Sequence, residues 1–402
     1  MWCGVPLVAL VVLAAGCNAG RSSRPGVAVL GDRLTVVSSA PLSGTLKASG
    51  EALINGERLA LSDAGGMVGP LIVGLEALNS VQGSGDLPSV PQVASNARIA
   101  IQDGTAIAYI GDYDAASTAI SLPLTNQGGI LQISTDEGYS GFTSDRYAAA
   151  GEPERFFPSG RSSFGRLLPN ELLEARAQAQ LQRQQRCAAT FIISDASSFG
   201  ASQQQALADQ LKREKIALAG SASIDATPQA SREAAAKALK SGADCVYYGG
   251  PGDPLGAALI DRINAGGGNR KLFAGRRTAN SALLAALSAS AQRSLLVVSP
   301  EAASTAFEAR YRARFGSSAG VAGLYGYEAM AVVLDSIRRA GVNGNNRDSV
   351  ISAFRATKDR RSVLGTYSVS AAGESSLSRF TVWTVRSGRL VESRGLTAAA
   401  NG

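Results

Sequence analysis

The sequence predicts an α/β fold built as two units, each a doubly wound sheet with helices on both faces. Three observations carry this. From residue 34 onward, short apolar runs alternate with helix-patterned segments. The alternation breaks at a charged, irregular stretch, TSDRYAAAGEPERFFPSG (143–160), and then restarts. Finally, 402 residues exceed one ordinary core, since domains usually hold roughly 100 to 200 residues.

In the first unit, LTVVSSAP (34–41), PLIVGLEA (70–77) and AIAYIGD (106–112) read as strands, because near-continuous apolar runs suit a sheet covered on both faces. EALINGERLALSDAG (51–65) and VPQVASNARIAIQDG (90–104) read as helices, the second with Val90, Val93, Ala94, Ala97 and Ile101 at helical spacing. A further helix-like segment separates AIAYIG from ILQIS (130–134), so the loops DYDAAS (112–117) and STDEGYSG (134–141) emerge on the same side of a parallel sheet.

The second unit repeats the alternation. Helices are expected at 171–185, 201–215, 231–244 and 254–267, and strands at 187–194, 216–223, 245–250, 271–275 and 295–300. Three long helices return in STAFEARYRARFG (304–316), GYEAMAVVLDSIRRAG (326–341) and RDSVISAFRATKD (347–359). Two β-rich segments, FTVWTVRSG (380–388) and RLVES (389–393), close the chain.

Composition narrows the function. Histidine is absent, which removes Ser-His-Asp and Cys-His nucleophile systems and the usual His-containing zinc sites. No enzyme activity, cofactor or metal is expected. The net charge of +7 comes from scattered Lys and Arg, with no basic stripe interleaved with aromatics, so no nucleic-acid partner is expected. GPGDPLG (250–256) lacks the third glycine of a dinucleotide fingerprint and reads as a turn shaping the second unit. Tyr325 and Tyr327 read as core or cleft wall.

The N-terminus reads as an export signal, with an apolar run from Val5 to Ala15 too short to span a bilayer. Its ending LAAGC (13–17) resembles a bacterial lipobox, which implies a lipid on Cys17, a linker over 18–32 and a membrane tether; the alternative is cleavage nearby and release as a periplasmic or secreted protein. With Cys3 and Cys17 in this leader, Cys187 and Cys245 remain, each opening an expected strand. They are either bridged or two small buried thiols.

Five segments, at 36–66, 106–134, 241–250, 325–341 and 356–377, resemble the branched-chain amino-acid-binding proteins of ABC importers, the type I periplasmic binding proteins. The similarity runs from about residue 33 to about 393. It implies a bilobed Venus-flytrap: two doubly wound lobes joined by a three-crossing hinge and closing on a small ligand. Lobe 1 would hold 33–157 plus 300–364, lobe 2 would hold 158–299 plus 365–393, and 394–402 would be a tail. The implied role is an extracytoplasmic, monomeric solute-binding protein that presents its ligand to an ABC permease. A sensory or adaptor domain of the same fold with little small-molecule binding is the alternative.

The resemblance also implies a ligand site. In lobe 1 it takes in Tyr113, Asp114, Ala115, Ala116 and Ser117 after one strand, Ser134, Asp136, Glu137, Gly138 and Tyr139 after the next, and Leu324. In lobe 2 it takes in Phe199, Pro251 and Arg277. In the family a Ser hydroxyl and a Thr hydroxyl in the lobe 1 loops help to hold an amino acid's α-carboxylate and α-ammonium; Ala115 and Gly138 stand in those places. Pro251 stands for a Tyr. The carboxylate that would pair with the α-ammonium is replaced by Arg277, with Arg276 beside it. A cation facing an ammonium in a desolvated cleft is repulsive by several kcal/mol in order of magnitude. The expected ligand is therefore an amino-acid-like or related polar solute whose anionic group meets Arg277 or Arg276, with Asp114, Asp136 or Glu137 meeting a cationic or hydroxyl-bearing end. Alternatively, these charges are solvated, or pair with each other across the cleft and close it without ligand.

Overall fold

The computed structural model describes residues 1–2 and 27–398. Cys3, Cys17 and the expected leader and linker lie outside that range, apart from Met1, Trp2 and residues 27–32. Among the described residues no helix is long and apolar enough to cross a membrane.

Lobe 1 begins with β1 (Arg33–Ala40), α1 (Lys47–Asp63), β2 (Met67–Val68), β3 (Leu71–Asn79), α2 (Val90–Gln102), β4 (Ala106–Ile110), α3 (Ala115–Gln127), β5 (Leu131–Ser134) and β6 (Phe164–Arg166). The sheet order is β2-β3-β1-β4-β5-β6, parallel except at β2. Every residue of β4 and β5 is buried, as their unbroken apolar pattern requires.

Lobe 2 follows as α4 (Glu171–Gln184), β7 (Ala189–Asp195), α5 (Ser198–Arg213), β8 (Ala217–Ile224), α6 (Pro228–Lys240), β9 (Cys245–Tyr248), α7 (Pro254–Ala265), β10 (Lys271–Ala274), α8 (Ser281–Ala286), α9 (Ala289–Ser294) and β11 (Leu295–Pro300). The chain then returns to lobe 1 with α10 (Thr305–Phe315), α11 (Gly320–Arg339), α12 (Arg347–Arg355) and a small hairpin, β12 (Arg360–Ser362) and β13 (Gly365–Tyr367). It ends in lobe 2 with β14 (Arg379–Arg386) and β15 (Arg389–Thr397), giving the order β15-β14-β11-β10-β9-β7-β8.

The chain thus crosses between the lobes three times, at 169–170, 301–304 and 378. Two expected boundaries move. Residues 158–166 belong with lobe 1, because β6 completes its sheet beside β5. Residues 365–377 also belong there, because Tyr367, Val369 and Leu377 share a core with Val36, Ile110 and Ile133. The expected tail at 394–402 begins instead as part of β15, which pairs with β14 as far as Thr397. The first two boundaries were hidden because the three-residue strands beside the crossings, β6 and β13, carry no periodicity of their own.

In lobe 1, α11 packs on α1 through glycines: a β-carbon on Gly56 would lie 2.1 Å from the Gly323 carbonyl, and one on Gly326 would lie 2.3 Å from that of Leu53. Met330, Val333 and Ile337 on α11 then reach the sheet core. In lobe 2, Cys187 and Cys245 form a disulfide with Cα atoms 5.8 Å apart, joining the start of β9 to the residue that leads into its neighbour β7.

Candidate functional site

The carboxyl ends of β4 and β5 in lobe 1 and of β7, β9 and β10 in lobe 2 carry the loops that meet between the lobes. Parallel strands with helices on both faces leave their functional loops at this edge.

After β4, Asp114 caps α3: its carboxylate accepts the Ser117 amide at 2.8 Å and the Ser117 hydroxyl at 3.0 Å. The positive end of α3 is thereby occupied by the chain's own carboxylate. Ala115 follows as the first helical residue and Ala116 is exposed. Tyr113 is half-buried, and burial, with Asp136 nearby, pushes its phenol well above the usual value.

After β5, the expected residues separate into two groups. Asp136 and Gly138 face lobe 2. Ser134, Glu137 and Tyr139 point into lobe 1 and are corrections to the expected ligand set. Ser134 Oγ accepts the Glu137 amide at 3.1 Å. Glu137 is fully buried, accepts from the Tyr139 amide and lies 3.5 Å from Arg166 Nη2. Arg166, also fully buried, reaches Glu374 at 2.9 Å, so this carboxylate is neutralised by a structural ion-pair network. Tyr139 packs against Phe142 and donates to Glu152. Leu324 is a fourth correction: on α11 it is 1% exposed and lies in the lobe 1 core, since that helix turns its apolar face to the sheet. Tyr325 shares this core, while Tyr327 is partly buried against it and donates to Asp63 at 2.8 Å.

In lobe 2, Ser197 caps α5, accepting the Gly200 amide at 3.0 Å and fixing Phe199 in the first turn. The Cζ atoms of Arg276 and Arg277 each lie 5.4 Å from the Phe199 ring centroid, within cation–π reach. Arg277 pairs with Asp195 inside lobe 2 and lies 3.5 Å from the Gly249 carbonyl. The Pro251 carbonyl accepts the Tyr248 hydroxyl at 2.9 Å. Pro251, Tyr248, Ile224 and Leu255 line a crevice of about 260 Å³ rimmed by Asp195 and Asp253.

Arg276 crosses the cleft. Its Nη1 donates to the Asp136 carbonyl and lies 3.3 Å from Asp136 Oδ1. Its Nε is 3.6 Å from Glu174 Oε2, and its backbone amide donates to Glu174 Oε1 at 3.0 Å. Burial works against the Arg276 cation, but Asp136 and Glu174 outweigh it and raise the guanidinium further above its usual value. Burial lifts Asp136 to about 6 despite Arg276. Of the two readings of the charges, cross-cleft pairing is present, and Arg276 makes it while Arg277 does not. Glu174 and Asp195, which hold the two arginines, had no signal in the sequence beyond a helical pattern and a strand end.

A family model described as "Periplasmic binding protein" matches residues 34–389. No curated protein matches the sequence. Among solved structures, a leucine-binding protein from Thermotoga maritima superposes with a TM-score of 0.75 at 17% identity, covering 90% of this chain and 99% of that one. An ABC-transporter solute-binding protein from R. palustris in complex with benzoate gives 0.72 at 19% identity over 91% and 96%. A branched-chain amino-acid transporter substrate-binding protein from Streptococcus pneumoniae in complex with isoleucine gives 0.71 at 14% over 90% and 100%. At these identities the likeness establishes the fold.

Proposed function

The chain belongs to the periplasmic binding protein family, and from that premise we propose that it is the extracytoplasmic solute-binding component of an ABC importer. It acts by closure: a small solute settles on one lobe, the other swings over it about the three crossings, and the closed form is what a membrane permease reads. The observation that carries this is the meeting of the two lobes at their loop edges: Arg276 reaches the β5 loop at Asp136, and Phe199 packs with Tyr139, Leu122 and Ala115 of lobe 1.

The polarity of the two halves selects the solute. Lobe 1 offers carboxylates at Asp114 and Asp136, and lobe 2 offers guanidiniums at Arg276 and Arg277, so a polar, amino-acid-like solute is read as lying with its acidic group toward Arg277 and its cationic or hydroxyl-bearing end toward lobe 1. Arg277 retains 30% of its side-chain exposure beside Asp195, which leaves donors for such a group. Cys17 is read as the lipid site that tethers the chain at the outer face of the membrane.

Thermal-shift screening of the protein against amino acids, dicarboxylates, amides and polyamines tests the reading. A hit that stabilises the protein is expected. If no solute class shifts the melting temperature, the import reading fails and the sensory or adaptor alternative takes its place.

A further inference from the structure

The contact between Arg276 and the Gly138 backbone does more than join two lobes. A β-carbon on Gly138 would lie 2.9 Å from Arg276 Nη2 and 3.3 Å from Nε, so the guanidinium fills the space that any side chain at 138 would need. The same group donates to the Asp136 carbonyl, faces its carboxylate at 3.3 Å and lies over the Phe199 ring. Its side chain is 10% exposed, and Glu174 on α4 holds it from behind. A carbonyl, a carboxylate and an aromatic face converging on one cation form a cation subsite. The occupant is the protein's own.

We propose that Arg276 is an internal competitor for the solute: it occupies the cation subsite between Asp136 and Phe199, holds the lobes together, and must be displaced by the cationic group of an ammonium- or guanidinium-bearing solute. The inference rests on the solute-binding reading for its purpose, but the latch itself is a contact between the protein's own residues. Displacement is feasible because only one end of the arginine is exchanged. On leaving Asp136 it keeps Glu174, so no cation is stranded in the interface. Arg277 lacks this role because its partner, Asp195, sits in its own lobe.

The test uses the full chain without solute, spin-labelled at Lys47→Cys and Gln229→Cys. Both positions are exposed and lie beyond the carboxyl ends of β1 and β8, one on each lobe. Arg276→Ala removes the latch from lobe 2; Gly138→Thr expels it from lobe 1 by occupying its space. Each should shift the interlobe distance distribution to longer values, their combination should add little to either alone, and Arg183→Ala, at an exposed lobe 2 arginine paired with Glu214, should leave it unchanged. Low-millimolar guanidinium chloride should restore the short distance in Arg276→Ala. Wild-type distances in either single variant, or no response of Arg276→Ala to guanidinium, would overturn the proposal. If Arg276→Ala does not fold, Gly138→Thr decides alone. A latch that opens as expected in a protein that binds no solute would remove the import reading and leave the latch standing.

Discussion

Glu171 and Ser140 are hydrogen-bonded across the first interlobe crossing: the Ser140 amide of lobe 1 donates to Glu171 Oε1 of lobe 2 at 2.7 Å, and the Ser202 hydroxyl donates to the same oxygen at 2.9 Å. Glu171 opens α4 and is fully buried. Among the described residues no cation is within ion-pair distance of it, unlike Glu137 and Glu174 beside it. Burial raises its carboxyl to about 7.

This predicts an unusual pH profile. Burial also lifts Asp112 to about 7 and Asp136 to about 6. An acid whose folded pKa exceeds its unfolded value binds more protons when folded, so its contribution is fully present below the unfolded value near 4 and is lost as pH rises through 6 to 7. The melting temperature should therefore rise as the pH is lowered from 8 to about 5. Glu171→Gln should flatten part of that rise. A melting temperature that falls steadily over the same range would count against the burial of these groups.

The disulfide makes a second prediction. Reduction, or the Cys187→Ala/Cys245→Ala pair, should cost about 2 to 4 kcal/mol. The melting temperature should drop by several degrees, and the unreduced, unfolded protein should label at neither cysteine. Because both sulfurs lie in the lobe 2 core, the loss should be seen first in lobe 2 by hydrogen exchange.

Solute preference is the third. On the proposed site, free leucine, isoleucine and valine should bind poorly, because Ala115 and Gly138 offer no hydroxyl and Arg276 and Arg277 put cations on the lobe 2 side. A solute with an acidic group should lose about 1.5 to 3 kcal/mol of affinity in Arg277→Ala, the range for a hydrogen bond to a charged group at a partly exposed site. Calorimetry decides this, and micromolar binding of leucine by the unaltered protein would sink it.

Anchoring is the fourth. Expressed in a bacterial host that processes lipoproteins, Cys17→Ala should release the chain from the membrane fraction. Retention of the variant at wild-type level would remove the lipid from the account.

The glycine contact between α1 and α11 supplies a fifth. Gly56→Ala drives a β-carbon into a backbone carbonyl that no rotamer can move, and overpacking of this kind typically costs about 1 to 3 kcal/mol. Denaturant unfolding should show the loss, whereas Gly104→Ala, with open space around the added carbon, should cost far less.

The sequence by itself determined the α/β alternation, the two units, the cleft-facing loops and the bilobed family. Runs such as AIAYI and LQIS can only be interior strands, and helical spacing is a local property of the chain. It also put Ala115, Gly138 and the Arg276–Arg277 pair in the loops at the carboxyl ends of their strands, because residue identity and rough position suffice for that. Tertiary structure decided which charge meets which. Arg276 and Arg277 are adjacent in sequence, yet one reaches Asp136, 140 residues away, and the other turns back to Asp195. That choice depends on where α4 brings Glu174 and on how the lobes approach. The same holds for Glu137 and Leu324, whose residue types suit a ligand site but whose side chains are spent on Arg166 and on the core. Partners such as these are fixed by contacts far apart along the chain, and no local pattern encodes them.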